Sequence, residues 1–185
     1  MPILGIMASQ ISGHLWAPEG AYDSLATVTV PSGGVASITF AGIPSGYKHL
    51  QVRGIGSTSI AGKAWGIRLN NDAGSNYSYH YLQGTGSVPE TGAAATQTLG
   101  YIGVSPESTN NNYVGAAVID LLDYANADKY KTIRSLSGAD MNGVGGYSRF
   151  NSSLWQSKSE INRVDLVLTS GNFNQHSSFA LYGVK

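Results

Sequence analysis

Tyr113 to Gly138 reads YVGAAVIDLLDYANADKYKTIRSLSG. The first run, Tyr113 to Leu122, is short, apolar on both faces and rich in Val, Ile and Ala. It predicts a strand buried on two sides rather than a surface helix. Asp123 to Asp128 is polar, and Asn126 and Asp128 accept tight turn geometry by bonding to nearby backbone. Lys129 to Leu136 alternates again and carries Lys129, Lys131 and Arg134. Together they predict a β-hairpin in the middle of a sheet.

The same rhythm spreads outward from this hairpin. Towards the N-terminus, strands are predicted over Leu25–Val30, Val35–Phe40, Tyr47–Gly56, Trp65–Asn70, Tyr77–Gln83 and Thr96–Val104. Turns fall at Pro31–Gly34, Pro44–Gly46 and Asn70–Asn76, and a long Gly/Thr/Ala loop spans Gly84–Ala95. In Tyr47–Gly56, Leu50, Val52 and Gly54 face one side and His49, Gln51 and Arg53 the other. Towards the C-terminus, Asp140–Tyr147 reads as a turn, followed by strands Phe150–Trp155, Ile161–Thr169 and Ser178–Val184, with a bulge near Asn162. About ten short strands, with no convincing helix, predict an all-β antiparallel sandwich of jelly-roll type. Residues 23–185 would form that domain and residues 1–22 an apolar arm ahead of it. Gly5, Gly13, Pro2 and Pro18 oppose a long helix in the arm. Its apolar residues pack either on their own domain or on a neighbouring subunit.

The composition narrows the function classes. The 185 residues are 42% hydrophobic but only 12% charged, with eleven basic and eleven acidic side chains. A neutral chain is not steered to nucleic acid or to anionic lipid, and no apolar run spans a bilayer. The N-terminus lacks the basic start and cleavage pattern of a signal peptide. So few charges suggest a surface partly covered by a partner. The chain has no cysteine, which excludes disulfides, thiolate zinc sites and cysteine nucleophiles. No cofactor is implied.

Four groups of residues are candidate sites. Tyr77, Tyr79 and Tyr81 lie on one face of their strand and would form a packing surface, a subunit interface or a stacking platform for sugar rings. The histidines, His14, His49, His80 and His176, have no metal-ligand spacing. Asn70, Asn71, Asp72 and Asn76 are dense in oxygen but lack the closing Glu of a calcium loop, which favours a plain turn. The carboxylates Asp120, Asp123, Asp128, Glu107, Glu160 and Asp165 show no spacing that pairs them for glycoside hydrolysis. The sequence has no GxSxG elbow, phosphate loop or HExxH.

Four segments carry a resemblance: ILGIMASQISGHL at the start, IPSGYKHLQVRG at 43–54, GSNYSYHYL at 74–82, and LDYANADKYKTIRSLSG with the terminal SSFALYGVK. In that order they resemble a family of small virion structural proteins of tailed bacteriophages, and the likeness covers most of the chain. It implies a non-enzymatic particle component and supplies no catalytic residue. The expectation is a capsid decoration (cement) protein on the outer surface of the particle. It would form a homotrimer against the major capsid protein or other virion proteins. The arm residues Ile3, Leu4, Ile6, Met7, Ile11, Leu15 and Trp16 would bind the partner. The alternative is a tail-fibre or tail-tip component that binds a host surface glycan through Tyr77, Tyr79 and Tyr81.

Overall fold

The computed structural model describes residues 20–106, 108–143 and 145–185. Twelve strands run through them: β1 (Tyr22–Thr29), β2 (Ser37–Ala41), β3 (His49–Gly56), β4 (Ala64–Leu69), β5 (Tyr77–Gly84), β6 (Pro89–Gln97), β7 (Gly100–Val104), β8 (Gly115–Leu122), β9 (Lys131–Asp140), β10 (Gly146–Trp155), β11 (Arg163–Leu168) and β12 (Ser178–Val184). They form an eight-stranded sheet, β1-β12-β3-β8-β9-β10-β5-β6, and a four-stranded sheet, β2-β11-β4-β7. Every pairing is antiparallel. Set aside β5, β6, β9 and β10, and the other strands make two four-stranded sheets, β1-β12-β3-β8 and β2-β11-β4-β7. That is the double-sheet jelly roll. Two hairpin strands, β9 and β10, and then β5 and β6 widen one of its sheets.

Period-2 alternation builds the core of the jelly roll. Leu50 and Val52 of β3, Ile119 and Leu121 of β8, and Phe179 and Leu181 of β12 point at Ile38, Phe40, Ile67, Leu69, Val164 and Leu166 of the smaller sheet, and all are buried. Trp65 joins Phe173 and Phe179 in an edge-to-face cluster with centroids 5.1–5.7 Å apart. Each such side chain contributes on the order of 1.5–3 kcal/mol by leaving water. Gly54 is required here, because a Cβ on it would sit 2.4 Å from the Phe179 ring.

The widened half packs by a different chemistry. The inward residues of β9 and β10 are mostly polar: Ser135, Ser137, Arg149, Asn151 and Ser153, all buried. The edge strand β7 lies close over them, an approach that Gly100 and Gly103 permit. Ser153 ties the layers together: its Oγ accepts from the Tyr101 N–H (3.1 Å) and donates to the Tyr101 carbonyl (2.9 Å). Asn151 Nδ2 donates to Ser135 Oγ (3.0 Å).

The predicted central hairpin is present as β8 and β9, with Leu122 opposite Thr132. Its turn is pinned by buried groups. The Tyr124 hydroxyl donates to the Pro44 carbonyl and accepts from the Tyr47 N–H. The Lys131 ammonium, also buried, donates to the Asn126, Lys129 and Lys158 carbonyls. Burial lowers the Lys131 pKa.

Four expectations are corrected. β8 is buried on one face only: Ala116 and Val118 are exposed because no third layer covers them. The expected loop Gly84–Ala95 is largely strand β6, which pairs with β5 at the sheet edge and starts at Pro89, a position where proline loses no ladder bond. Asn162 precedes β11 and makes no bulge, and the register shifts lie at Ser24/Ala26, Trp65/Gly66 and Tyr77/Tyr79 instead. The turn predicted over Asp140–Tyr147 is shorter, because β9 runs to Asp140 and β10 starts at Gly146.

The Asn70–Asn76 segment is a turn held by its own side chains, with Asn70 and Asn71 at positive φ. The Asp72 carboxylate accepts from Trp155 Nε1 (2.7 Å), Asn76 Nδ2 (2.9 Å) and the Gly74 N–H (2.8 Å). Burial pushes its pKa up, but these three bonds outweigh it and hold the group below its usual value. A depressed carboxylate contributes stability above its unfolded pKa and loses it as pH falls through the folded one. Asp72→Asn is therefore expected to be about 1–2 kcal/mol less stable at neutral pH. In denaturation series the gap should begin to narrow as pH falls below the ordinary aspartate value of about 4 and close as it passes the lower folded one. A gap that stays constant down to acid would contradict this account.

Candidate functional site

Two surfaces stand out once the strands are placed. The first is built on β5. Its inward positions are Tyr77, Tyr79, Tyr81 and Gln83, so the three tyrosines share a face as the alternation predicts. They do not share an environment. Tyr77 belongs to the core: its ring stacks on Trp155 (6.4 Å, 17°), its hydroxyl accepts from the Leu69 N–H (3.0 Å), and burial pushes its pKa to about 12. Tyr79 and Tyr81 sit further out, half-buried, where β5 and β6 extend past the edge of the smaller sheet.

There they meet Tyr101 of β7, with centroids 5.1 Å from Tyr79 and 6.1 Å from Tyr81. Arg149, 5% exposed, lies among the rings. Its guanidinium carbon is 3.5 Å from the Tyr81 centroid and 4.3 Å from that of Tyr101. Its Nε donates to Asn151 Oδ1 (3.1 Å) and its Nη1 to Gln83 Oε1 (2.9 Å). Gln83 passes the contact on to Glu90 (3.1 Å). Burial raises the Tyr101 pKa, and Arg149 opposes that rise. Among the described residues, two tyrosine faces and two side-chain carbonyls thus take the place of a direct carboxylate partner. On the neighbouring strand, Gly92 faces Tyr81, and a Cβ there would lie 2.5 Å from the ring. The ring shields an edge-strand glycine. Tyr81 is thereby engaged by both Arg149 and Gly92, which leaves it a packing element more than an open platform.

The second surface is the outer face of the larger sheet. Cross-strand partners set up a row: Arg53, Val118, Leu136, Phe150 and Leu82 are neighbours in turn across β3, β8, β9, β10 and β5. Four of them are apolar, and all four are exposed, Leu136 at 61% and Leu82 at 55%. Beside this ridge runs a row of small residues, Ala116, Gly138, Ser148 and Gly84, opposite Ile55. They floor two adjoining hollows of about 630 Å³ each. The outer face of the smaller sheet is different, with Thr39, Arg163 and Asp165 joined by hydrogen bonds and ion pairing.

The remaining candidates are dispersed. Asp120 accepts from Gln51 Nε2 (2.7 Å), and Asp123 pairs with Lys129 and stands near His49. Asn70 bonds Glu160, Asn162 and Arg163. Among the described residues no three His, Asp or Glu side chains gather to hold a metal ion. The arm residues Ile3, Leu4, Ile6, Met7, Ile11, Leu15 and Trp16, with His14, lie outside the described residues. Sequence reasoning missed Arg149, Tyr101 and the outer ridge. The signal was present in YSRFNSSLW, where Arg149, Asn151 and Ser153 alternate with Phe150 and Leu154. An apolar-inward rule assigns that strand's faces the wrong way round.

The Tyr81–Gly92 contact makes a test. Gly92→Ala should cost about 1–3 kcal/mol through overpacking, and much of the loss should vanish in a Tyr81→Ala background. Thermal melts of the four species read the coupling. Additive losses would show that the ring and the glycine do not meet.

No family model and no curated protein matches the chain. Three chains of solved structures do. One is the Caenorhabditis elegans galectin LEC-6, with 11% identity and a TM-score of 0.35 over 86% of this chain and 95% of its own.

Proposed function

We propose that this chain is a non-enzymatic structural protein of a tailed bacteriophage, a decoration protein seated on the outer surface of the head. The observation that carries the proposal is the exposed apolar ridge Val118–Leu136–Phe150–Leu82 on a chain with only 12% charged residues. An uncovered apolar sheet face of that kind is an adhesive surface. The four segments that resemble virion structural proteins supply the setting. The acidic side chains of the described domain bond to their neighbours or stand apart, which supports adhesion over catalysis. In this reading the ridge and residues 1–22 are the two adhesive elements. They bind the major capsid protein and sister subunits in a trimer, and repeated weak contacts add up through multivalency. The neutral charge supports protein rather than nucleic acid or lipid as the partner.

A second reading has an observation of its own. The half-exposed Tyr79, beside Tyr81 and Tyr101, would stack a sugar ring in a tail component that binds a host surface glycan.

Electron cryomicroscopy of the whole particle separates the two. Density for this chain at regular positions over the head is the expected result. Density only at the tail tip overturns decoration and makes Tyr79→Ala, read by loss of binding on a glycan array, the decisive variant. On isolated capsids, deletion of residues 1–16 should weaken binding at least tenfold, as loss of about 1.4 kcal/mol or more would require. Unchanged binding would remove the arm from the attachment.

A further inference from the structure

The strands β9, β10 and β5 carry an inverted pattern. Their polar residues Ser135, Arg149 and Asn151 point inward and are buried, while Leu136, Phe150 and Leu82 point outward and are exposed. Inward hydrogen bonding accounts for the buried polar residues, but it does not require the outward ones to be large and apolar along one continuous row. A covering layer does. A low-charge chain with such a face bare is also at risk of self-association.

The chain itself holds material of the matching kind. Residues 1–18 include no Lys, Arg, Asp or Glu, and seven of them are Ile, Leu, Met or Trp beyond the initiating residue. The described chain takes over at Gly20 and enters β1 at the edge of the larger sheet. Tyr22 is on the outer side there. Its ring meets Tyr182 edge to face (6.4 Å), and the Arg53 guanidinium lies 5.0 Å from both rings. Arg53 is the first member of the outer row. Tyr22, the first residue of β1, thus stands on the sheet that bears the ridge.

The reach suffices. β9 is four strands from β1, or about 19 Å at the usual strand spacing. Leu136 lies four residue positions further along the strands than Tyr22, about 13 Å, for a diagonal of roughly 23 Å. Eleven residues separate Ile11 from Tyr22 and span about 36 Å when extended.

We propose that the ridge and its adjoining hollows are the docking site for this chain's own residues 3–16, which close the adhesive face in the free subunit. A second copy competes poorly for the site. A short tether sets an effective concentration on the order of millimolar, so at about 10 μM protein the chain's own segment is favoured roughly a hundredfold. The geometry does not depend on the virion reading. The purpose does: the device would keep a sticky particle component monomeric until it assembles.

The absence of cysteine allows a direct test on the full-length chain. Leu136→Cys is combined in turn with Ile11→Cys, Leu15→Cys and Trp16→Cys, and oxidised at about 10 μM, where the tether favours bonds within a chain. The control pairs the same arm cysteines with Ser37→Cys on the smaller sheet. At least one Leu136 pair should give a disulfide-closed monomer, and the control should not. Dimers as the main product would assign the face to a second copy, and no bond above the control would leave the arm off the face; either overturns the proposal. Leu136 is an exposed position, so its replacement spares the core. As an independent readout, deleting residues 1–16 should raise binding of an apolar-surface dye several-fold. Unchanged dye binding also overturns the proposal. Each result concerns the free protein and leaves the particle experiment to judge the virion reading separately.

Discussion

A four-stranded sheet cannot cover an eight-stranded one, and most of what distinguishes this protein follows from that mismatch. Over β1, β12, β3 and β8 the two sheets match in width, and branched and aromatic side chains fill the space between them. The Trp65–Phe173–Phe179 cluster closes this part, with Gly54 flattened beneath Phe179 so that the ring can lie down. Beyond β8 only the edge strand β7 remains as cover. Its free backbone groups need partners, and Ser153 supplies both a donor and an acceptor. Ser153 thus meets part of an unpaired strand edge, while Ser135, Asn151 and Arg149 bond along the interior of the widened sheet itself.

Further out no cover is left, and side chains take over the work of a sheet. Tyr79, Tyr81 and Tyr101 close the margin around Arg149. A buried guanidinium with no direct carboxylate partner among the described residues is tolerated because aromatic faces and the Asn151 and Gln83 carbonyls solvate it. The outer face shows the same mismatch from the other side. With the inner face of β9 and β10 occupied by Ser135, Ser137, Arg149, Asn151 and Ser153, the apolar Leu136 and Phe150 fall outside.

Much of the fold was legible in the chain. The β3 alternation Leu50, Val52 against His49, Arg53 emerges with the faces as read, and the hairpin at Asn126 forms where Asp and Asn cluster. These signals survive because they act over a few residues. β6 was not legible: PETGAAATQ has neither bulk nor branching, and it becomes a strand only because β5 offers it a partner and Tyr81 needs Gly92 below it. Nor was the single-sided burial of β8, since Val118 and Ile119 look alike until a layer is present on one side and missing on the other. Of the tyrosine face, the shared direction was legible. Its division into a core residue and two rim residues was not, because the division depends on where the smaller sheet ends.

By itself the sequence determined an all-β antiparallel sandwich without cysteine chemistry, sparing in charge and with an apolar segment ahead of its first strand. Those properties are set by side-chain type and period-2 spacing, which act locally along the chain. The tertiary structure alone decided which sheet is widened, which face of each added strand turns inward, and that Arg149 and Tyr101 meet although 48 positions apart. The reason is physical. A strand's two faces are equivalent until a second layer covers one of them, and here the covered face carries a hydrogen-bonded polar set anchored to β7 through Ser153, which leaves the apolar face outside.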